Sequence, residues 1–161
     1  VKGPGADQDI IRAITDATGT PGGTTIAATC DALRALGATQ VSVASPYEQW
    51  LNDHLRSFLE KSGFGVNAIE GFAADAKVAV GPQHADRVTP QQVADLAVDR
   101  PQSQAIFISC TNFRTLEIIE PLEQKLGKPV LTATSVSMWK MLRLAGDTRA
   151  IAGGGELFRR A

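Results

Sequence analysis

The chain has 161 residues, 43% hydrophobic and 20% charged, with a formal net charge of −1. That composition excludes a disordered chain and is long enough for one domain with a real core. Both signs of charge are scattered, so no basic face addresses nucleic acid or an anionic membrane, and no apolar run approaches a membrane span. Cys30 and Cys110 form no disulfide framework, and no Cys/His cluster has metal spacing. The expectation is a cytoplasmic protein with no signal peptide and no cofactor. Val1 to Gly5 read as a loop from the middle of a longer protein.

Asp7 to Thr18 carry Ile10, Ile11, Ile14 and Ala17 at helical spacing, closed by Gly19. A Pro-Gly-Gly turn follows, and Thr24 or Thr25 caps a second helix with Ile26, Cys30 and Leu33 on one face, ended by Gly37. Cys30 lies on that stripe and reads as core. Gln40 to Ala44 is a short strand. Ser45-Pro-Tyr-Glu48 fits a capping box, with Ser45 as N-cap, Pro46 first in the helix and Glu48 reaching back. That helix runs to about Lys61 on Leu51, Leu55, Phe58 and Leu59, which puts Tyr47 in its first turn.

Val66 to Ile69 is a weaker strand, and 71–87 read as a loop with a short helix. Thr89-Pro-Gln-Gln92 is a second capping box, opening a helix through Val93, Leu96 and Ala97 that Pro101 ends. Ala105 to Ile108 is a buried strand, followed by a short helical piece at Leu116 and Ile119. Pro121 is expected as the first residue of the next helix, which Gly127 closes. Val130 to Thr132 is a last strand, and Val136, Trp139, Leu142 and Leu144 mark a helix ending at Gly146. Ala152 to Gly155 and the tail read as loose, with Leu157 and Phe158 able to dock.

Strands alternating with helices predict a parallel sheet of about four strands with helices on both faces, a three-layer α/β unit. Gly3-Pro-Gly5 and Gly153-Gly-Gly155 lack the strand and the Lys-Ser/Thr of a phosphate loop and read as turns, so a nucleotide-binding domain is not expected. The stretch that organises the rest is 105–114, Ala-Ile-Phe-Ile-Ser-Cys-Thr-Asn-Phe-Arg. It puts Cys110 where a strand hands over to a helix. Ligands bind at that carboxyl edge of an open α/β sheet, and a helix N-terminus stabilises a thiolate. A small buried core thiol is the other reading. Tyr47 stands in the same kind of place, and parallel strands would bring the two side chains to one edge.

Several stretches together resemble the Asp/Glu racemase superfamily, in the branch of maleate cis-trans isomerase and arylmalonate decarboxylase. They are Ser109-Cys-Thr-Asn112 with Arg114-Thr115, the run 32–38 (Ala-Leu-Arg-Ala-Leu-Gly-Ala), Val43-Ala-Ser-Pro-Tyr47 with Leu51-Asn52, Lys128-Pro-Val-Leu131, Trp139, and Leu142-Arg-Leu-Ala-Gly146. The resemblance covers nearly the whole chain. It implies one of two pseudo-symmetric lobes, each giving one cysteine to a site between them. Residues 1–20 would be a remnant of the first lobe, 21–132 the second lobe, and 133–161 a helix and tail returning to the first. The implied activity is a cofactor-independent isomerase or racemase acting next to the carboxylate of a small mono- or dicarboxylic acid, inactive as this isolated segment, with a homodimer by analogy.

The resemblance implies that Cys110 is the acid/base thiol, and that the backbone N–H groups of Thr111 and Asn112 with the Tyr47 hydroxyl hold the carboxylate. Asn52 also matches a family position. The alternatives are a half-buried ring for Tyr47, a helix cap for Asn112 and a helix-surface residue for Asn52. At the whole-protein level they are a decarboxylase-like lyase, or a non-catalytic small-acid-binding protein if the first thiol is absent. Maleate isomerases carry Asp-Asn where this chain has Asp75-Ala76, and Ser-Asn-Gln where it has Ala133-Thr-Ser135; these are substrate-side polar groups, which argues against maleate itself as the substrate. Glycines tend to follow the cysteine in the decarboxylase proper, against Thr111-Asn112 here. His54 and His84 match nothing catalytic.

Overall fold

The computed structural model describes residues 5–71, 88–96 and 99–160. The loop expected over 71–87, with Asp75, Ala76 and His84, lies outside the described residues apart from Gly71. Four strands form one parallel sheet in the order β2-β1-β3-β4: β1 (Gln40–Ser45), β2 (Gly65–Gly71), β3 (Ala105–Ile108) and β4 (Val130–Thr132). In register, Val41 pairs with Ala105 and Ala44 with Ile108, while Ile106 pairs with Val130 and Ile108 with Thr132. β1 and β3 are therefore central neighbours whose carboxyl ends emerge side by side, as the Tyr47 and Cys110 argument required.

Helices cover both faces. On one, α2 (Thr25–Ala35), α3 (Gln49–Lys61) and α6 (Ala133–Leu144) pack Leu33, Leu59 and Val136 against Val41, Val43, Phe107 and Leu131. On the other, α4 (Pro90–Leu96) and α5 (Ile119–Leu126) pack Val93, Ile119 and Leu122 against Ala44, Ile106, Ile108 and Val130. Strands apolar on both faces are what a doubly covered parallel sheet demands. β3 is buried throughout for that reason.

The local signals at helix ends mostly hold. Thr24 caps α2, accepting from Ala27 N–H at 3.2 Å. Thr89 and Gln92 form the expected reciprocal box at α4, with bonds of 2.9 and 3.3 Å. A box at α6, Thr132 with Ser135, escaped the sequence pattern because Ser replaces the usual Glu or Gln. α1 (Ala6–Thr18) ends at Gly19 as read, yet buries none of its residues, and Ile10 stays exposed.

Three expectations are corrected. Ser45 does not cap α3; it completes β1, and α3 begins at Gln49. Its hydroxyl goes to Asn52 instead, and the Glu48 carboxylate accepts from Trp50 Nε1 at 2.8 Å. Pro121 is third in α5, not first; the first-turn N–H groups have no intrahelical partner, so its missing donor is tolerated there too. The C-terminal stretch is docked: α7 (Glu156–Arg159) buries Leu157 and Phe158 and is tied to α5 by Arg159.

Cys30 is core, 4% exposed. Burial pushes its thiol above the ordinary range, with the Ser62 hydrogen bond and Arg34 pulling the other way. The folded chain thus holds this proton to higher pH than the unfolded chain does. Stability is expected to be full below about pH 8.5 and to fall as pH rises through the folded value. Unfolding midpoints against pH should show that alkaline loss, and Cys30→Ala should shift its onset upward.

Candidate active site at the carboxyl edge

Cys110 follows the last bonded residues of β3, where Ser109 N–H donates to Ala44 C=O at 2.8 Å. It is 6% exposed, among Ala44, Ile108, Phe113 and Ile118. Its φ is 152°, and it is the sole non-glycine at positive φ among the described residues. Such a conformation is nearly confined to glycine and stores about 1–3 kcal/mol when a side chain is forced into it. The expected helix N-terminus is not at the thiol. Phe113 turns into the core with its N–H on Cys110 C=O at 3.3 Å, so the chain reverses first; a 3-10 turn spans Leu116–Ile118 and α5 starts only at Ile119.

Tyr47 lies in the link between β1 and α3, half-buried against the cluster that holds Cys110. Its hydroxyl end meets the side chains of Ser109 and Cys110. Burial pushes this phenol above its usual range; the Ser109 contact offsets part of that, and negative charge on the Cys110 sulfur adds to it. The pair expected from the sequence is thus brought together. Ser109 joins it, a residue the sequence reading passed over. The alternation along β3 carried that signal, since Phe107 and Ser109 share a face opposite to Ile106 and Ile108.

Thr111 and Asn112 form the exposed turn just past the thiol. The Thr111 carbonyl accepts from the Thr134 hydroxyl at 3.4 Å, which links this turn to the start of α6. Asn52 is elsewhere than expected: 6% exposed, it sits behind Tyr47, donating to the Tyr47 carbonyl at 3.1 Å and accepting from Ser45 Oγ at 2.6 Å.

Two cavities flank the edge. One of about 850 Å3 has Ile10, Ile26, Tyr47, Leu55, Phe107 and Ser109 in its walls. The other, about 1030 Å3, includes Thr111, Phe113, Arg114, Thr134, Met138 and Phe158. Both have the size of ligand clefts and are mostly apolar with a few polar groups. Among the described residues no cluster of three or more His, Cys, Asp or Glu has metal-binding geometry. No described helix is long and apolar enough to cross a membrane.

A parallel α/β fold with a strained cysteine backbone and a half-buried phenol at its carboxyl edge is the class of protein defined here. The chain belongs to the arylmalonate decarboxylase family, whose model matches residues 1–158. It is 30% identical over 170 residues to arylmalonate decarboxylase of Bordetella bronchiseptica, covering 98% of this chain and 65% of that protein. Unliganded arylmalonate decarboxylase superposes with a TM-score of 0.87 at 30% identity, over 99% of this chain and 69% of that one. Nocardia farcinica maleate cis-trans isomerase, carrying a covalently bound succinylcysteine intermediate, superposes with a TM-score of 0.86 at 26% identity, over 99% and 66%. These neighbours confirm the branch of the Asp/Glu racemase-like fold that the motifs indicated. The chain spans just under two thirds of the length of the decarboxylase relative.

Proposed function

We propose that this chain supplies the Cys110 half of a cofactor-independent isomerase or racemase acting at the carbon next to the carboxylate of a small acid. The observation that carries this is the strained, buried Cys110 backbone in the cluster against which Tyr47 packs. Charge develops on the carboxylate as an enediolate when a base on the opposite face, supplied by the first lobe, takes the proton from the neighbouring carbon. Donors already in place at Tyr47 and in the turn of Thr111 and Asn112 would lower that barrier. The Cys110 S–H bond then breaks as its proton forms the new C–H bond. A thiolate is left, and it recovers a proton from solvent or, in the reverse direction, from the carbon next to the carboxylate. The relative with a succinylcysteine intermediate supports thiol chemistry on a small dicarboxylate.

In this reading residues 21–132 are the second lobe, while 1–20 and 133–161 reach toward a first lobe; the unburied face of α1 supports the former. The assembly is taken as a homodimer by family analogy. A second reading, a decarboxylase-like lyase, is favoured by the apolar cavity that shares Tyr47 and Ser109 and has room for an aryl group. There the C–CO2 bond breaks, its electron pair enters the remaining carboxylate as the enediolate, and the Cys110 proton quenches it.

The test is incubation of the two-lobed protein, first lobe included, in D2O with maleate, with racemisable 2-substituted acids and with an arylmalonate, followed by NMR. Alkylation of Cys110 is read by mass spectrometry with and without each acid. Deuterium entering next to the carboxylate, lost in Cys110→Ser, together with protection of Cys110, is the expected result. Release of CO2 from the arylmalonate alone selects the lyase. A folded protein with no exchange, no CO2 and no protection overturns both.

A further inference from the structure

Tyr47 sits in an irregular link, where no helix or strand bond fixes its peptide groups. Side chains do so instead. Ser45 Oγ accepts from Tyr47 N–H at 3.3 Å and donates to Asn52 Oδ1 at 2.6 Å, and Asn52 Nδ2 donates to Tyr47 C=O at 3.1 Å. The three residues close a ring of hydrogen bonds around the backbone of a single residue, Tyr47. Ser45 and Asn52 are both buried, so these bonds are shielded from competing water. Gly71, at the end of β2, packs against the same stretch of backbone: a Cβ there would lie 2.7 Å from Ser45 O and 3.4 Å from Tyr47 O. The strand end can close over the ring only because residue 71 has no side chain.

We infer that Ser45 and Asn52 are positioning residues that hold the Tyr47 phenol over Cys110, and that Asn52 acts through Tyr47 rather than on the ligand. This rests on the reading of Tyr47 as a group that serves the site. It assigns Asn52 a task different from the substrate contact its family position implied. Both amide ends of Asn52 are committed to Ser45 Oγ and the Tyr47 backbone carbonyl, and Asn52 lines neither cavity. A plain helix-end role for Asn52 would leave the phenol where it is.

The chain contains one tyrosine, so phenolate absorbance reports Tyr47 alone. The titration is read directly after a pH jump, ahead of alkaline unfolding. The wild type should titrate above the ordinary value of about 10. Asn52→Ala and Ser45→Ala should each bring the midpoint down toward that value as the ring swings outward. The double variant should go no further, because both substitutions open the same ring. Where either variant fails to fold, Gly71→Ala strains the Ser45–Tyr47 backbone from outside and should move the midpoint the same way. Folded variants that titrate like the wild type overturn the inference and reduce Asn52 to a structural cap. The readout needs no substrate. A shifted midpoint in a protein that processes no acid keeps the clamp and removes the proposed reaction; lost turnover with an unmoved midpoint removes the clamp.

Discussion

Cys110→Gly is expected to be at least as stable as Cys110→Ala, while both lose proton transfer by about 10²–10⁴-fold. At an ordinary buried strand end the order would be reversed. Glycine gives up about 0.5–1 kcal/mol in chain entropy relative to alanine, and about 0.8 kcal/mol for one buried carbon. Against that stands about 1–3 kcal/mol of backbone strain at a φ of 152°, which alanine keeps and glycine releases. At the middle of its range, about 2 kcal/mol, the strain term exceeds the other two together, about 1.3–1.8 kcal/mol, so the ordering is diagnostic. Thermal unfolding of the two variants measures it, and deuterium exchange measures the chemistry. If Cys110→Gly unfolds well below Cys110→Ala, the backbone is relaxed and no strain is stored at the thiol. If the order is as expected, a side chain has been kept in a glycine conformation at a position where only its sulfur repays it.

That conformation shows where sequence reasoning stops. The strand ending at Ile108, the neighbouring β1 and the shared carboxyl edge are all legible, because apolar runs and capping residues encode them locally. The φ of Cys110 is not, since nothing in a Ser-Cys-Thr-Asn run requires it; Phe113, drawn into the core three residues later, forces the reversal. The misread helix start at Ser45 has a similar cause. Ser-Pro-x-Glu is a sound local cap signal, but a buried Asn52 four residues into α3 takes the serine hydroxyl. Tertiary partners outbid a surface motif, and Tyr47 moved from a helical turn to a clamped link as a result. Thr132 to Ser135 erred the other way, a real capping box hidden by an unusual residue.

The tail carries the largest expected stability effect. Glu123→Ala should destabilise the fold by about 2–4 kcal/mol, because its carboxylate serves three partners from a nearly buried position. Oε1 accepts from Val130 N–H at 3.0 Å, both oxygens accept from Glu156 N–H at 2.9 Å, and Oε2 pairs with Arg159 at 2.9 Å. Its side chain is 9% exposed, while Arg159 is 49% exposed. The ion pair is therefore the minor part. The larger part is two backbone donors, at the first residues of β4 and α7, left without an acceptor. Glu123→Gln keeps an acceptor oxygen and should lose only about 1 kcal/mol. For a chain of this size the alanine variant should melt lower by roughly 5–15 °C, and a loss equal to that of Glu123→Gln would show that the backbone bonds are not what the carboxylate supplies. The effect should reach the site as well. Phe158 of α7 and Thr111 beside Cys110 line the same cavity, so a tail freed from Glu123 removes one wall of it, and ligand protection of Cys110 should weaken in the same variant while the fold persists.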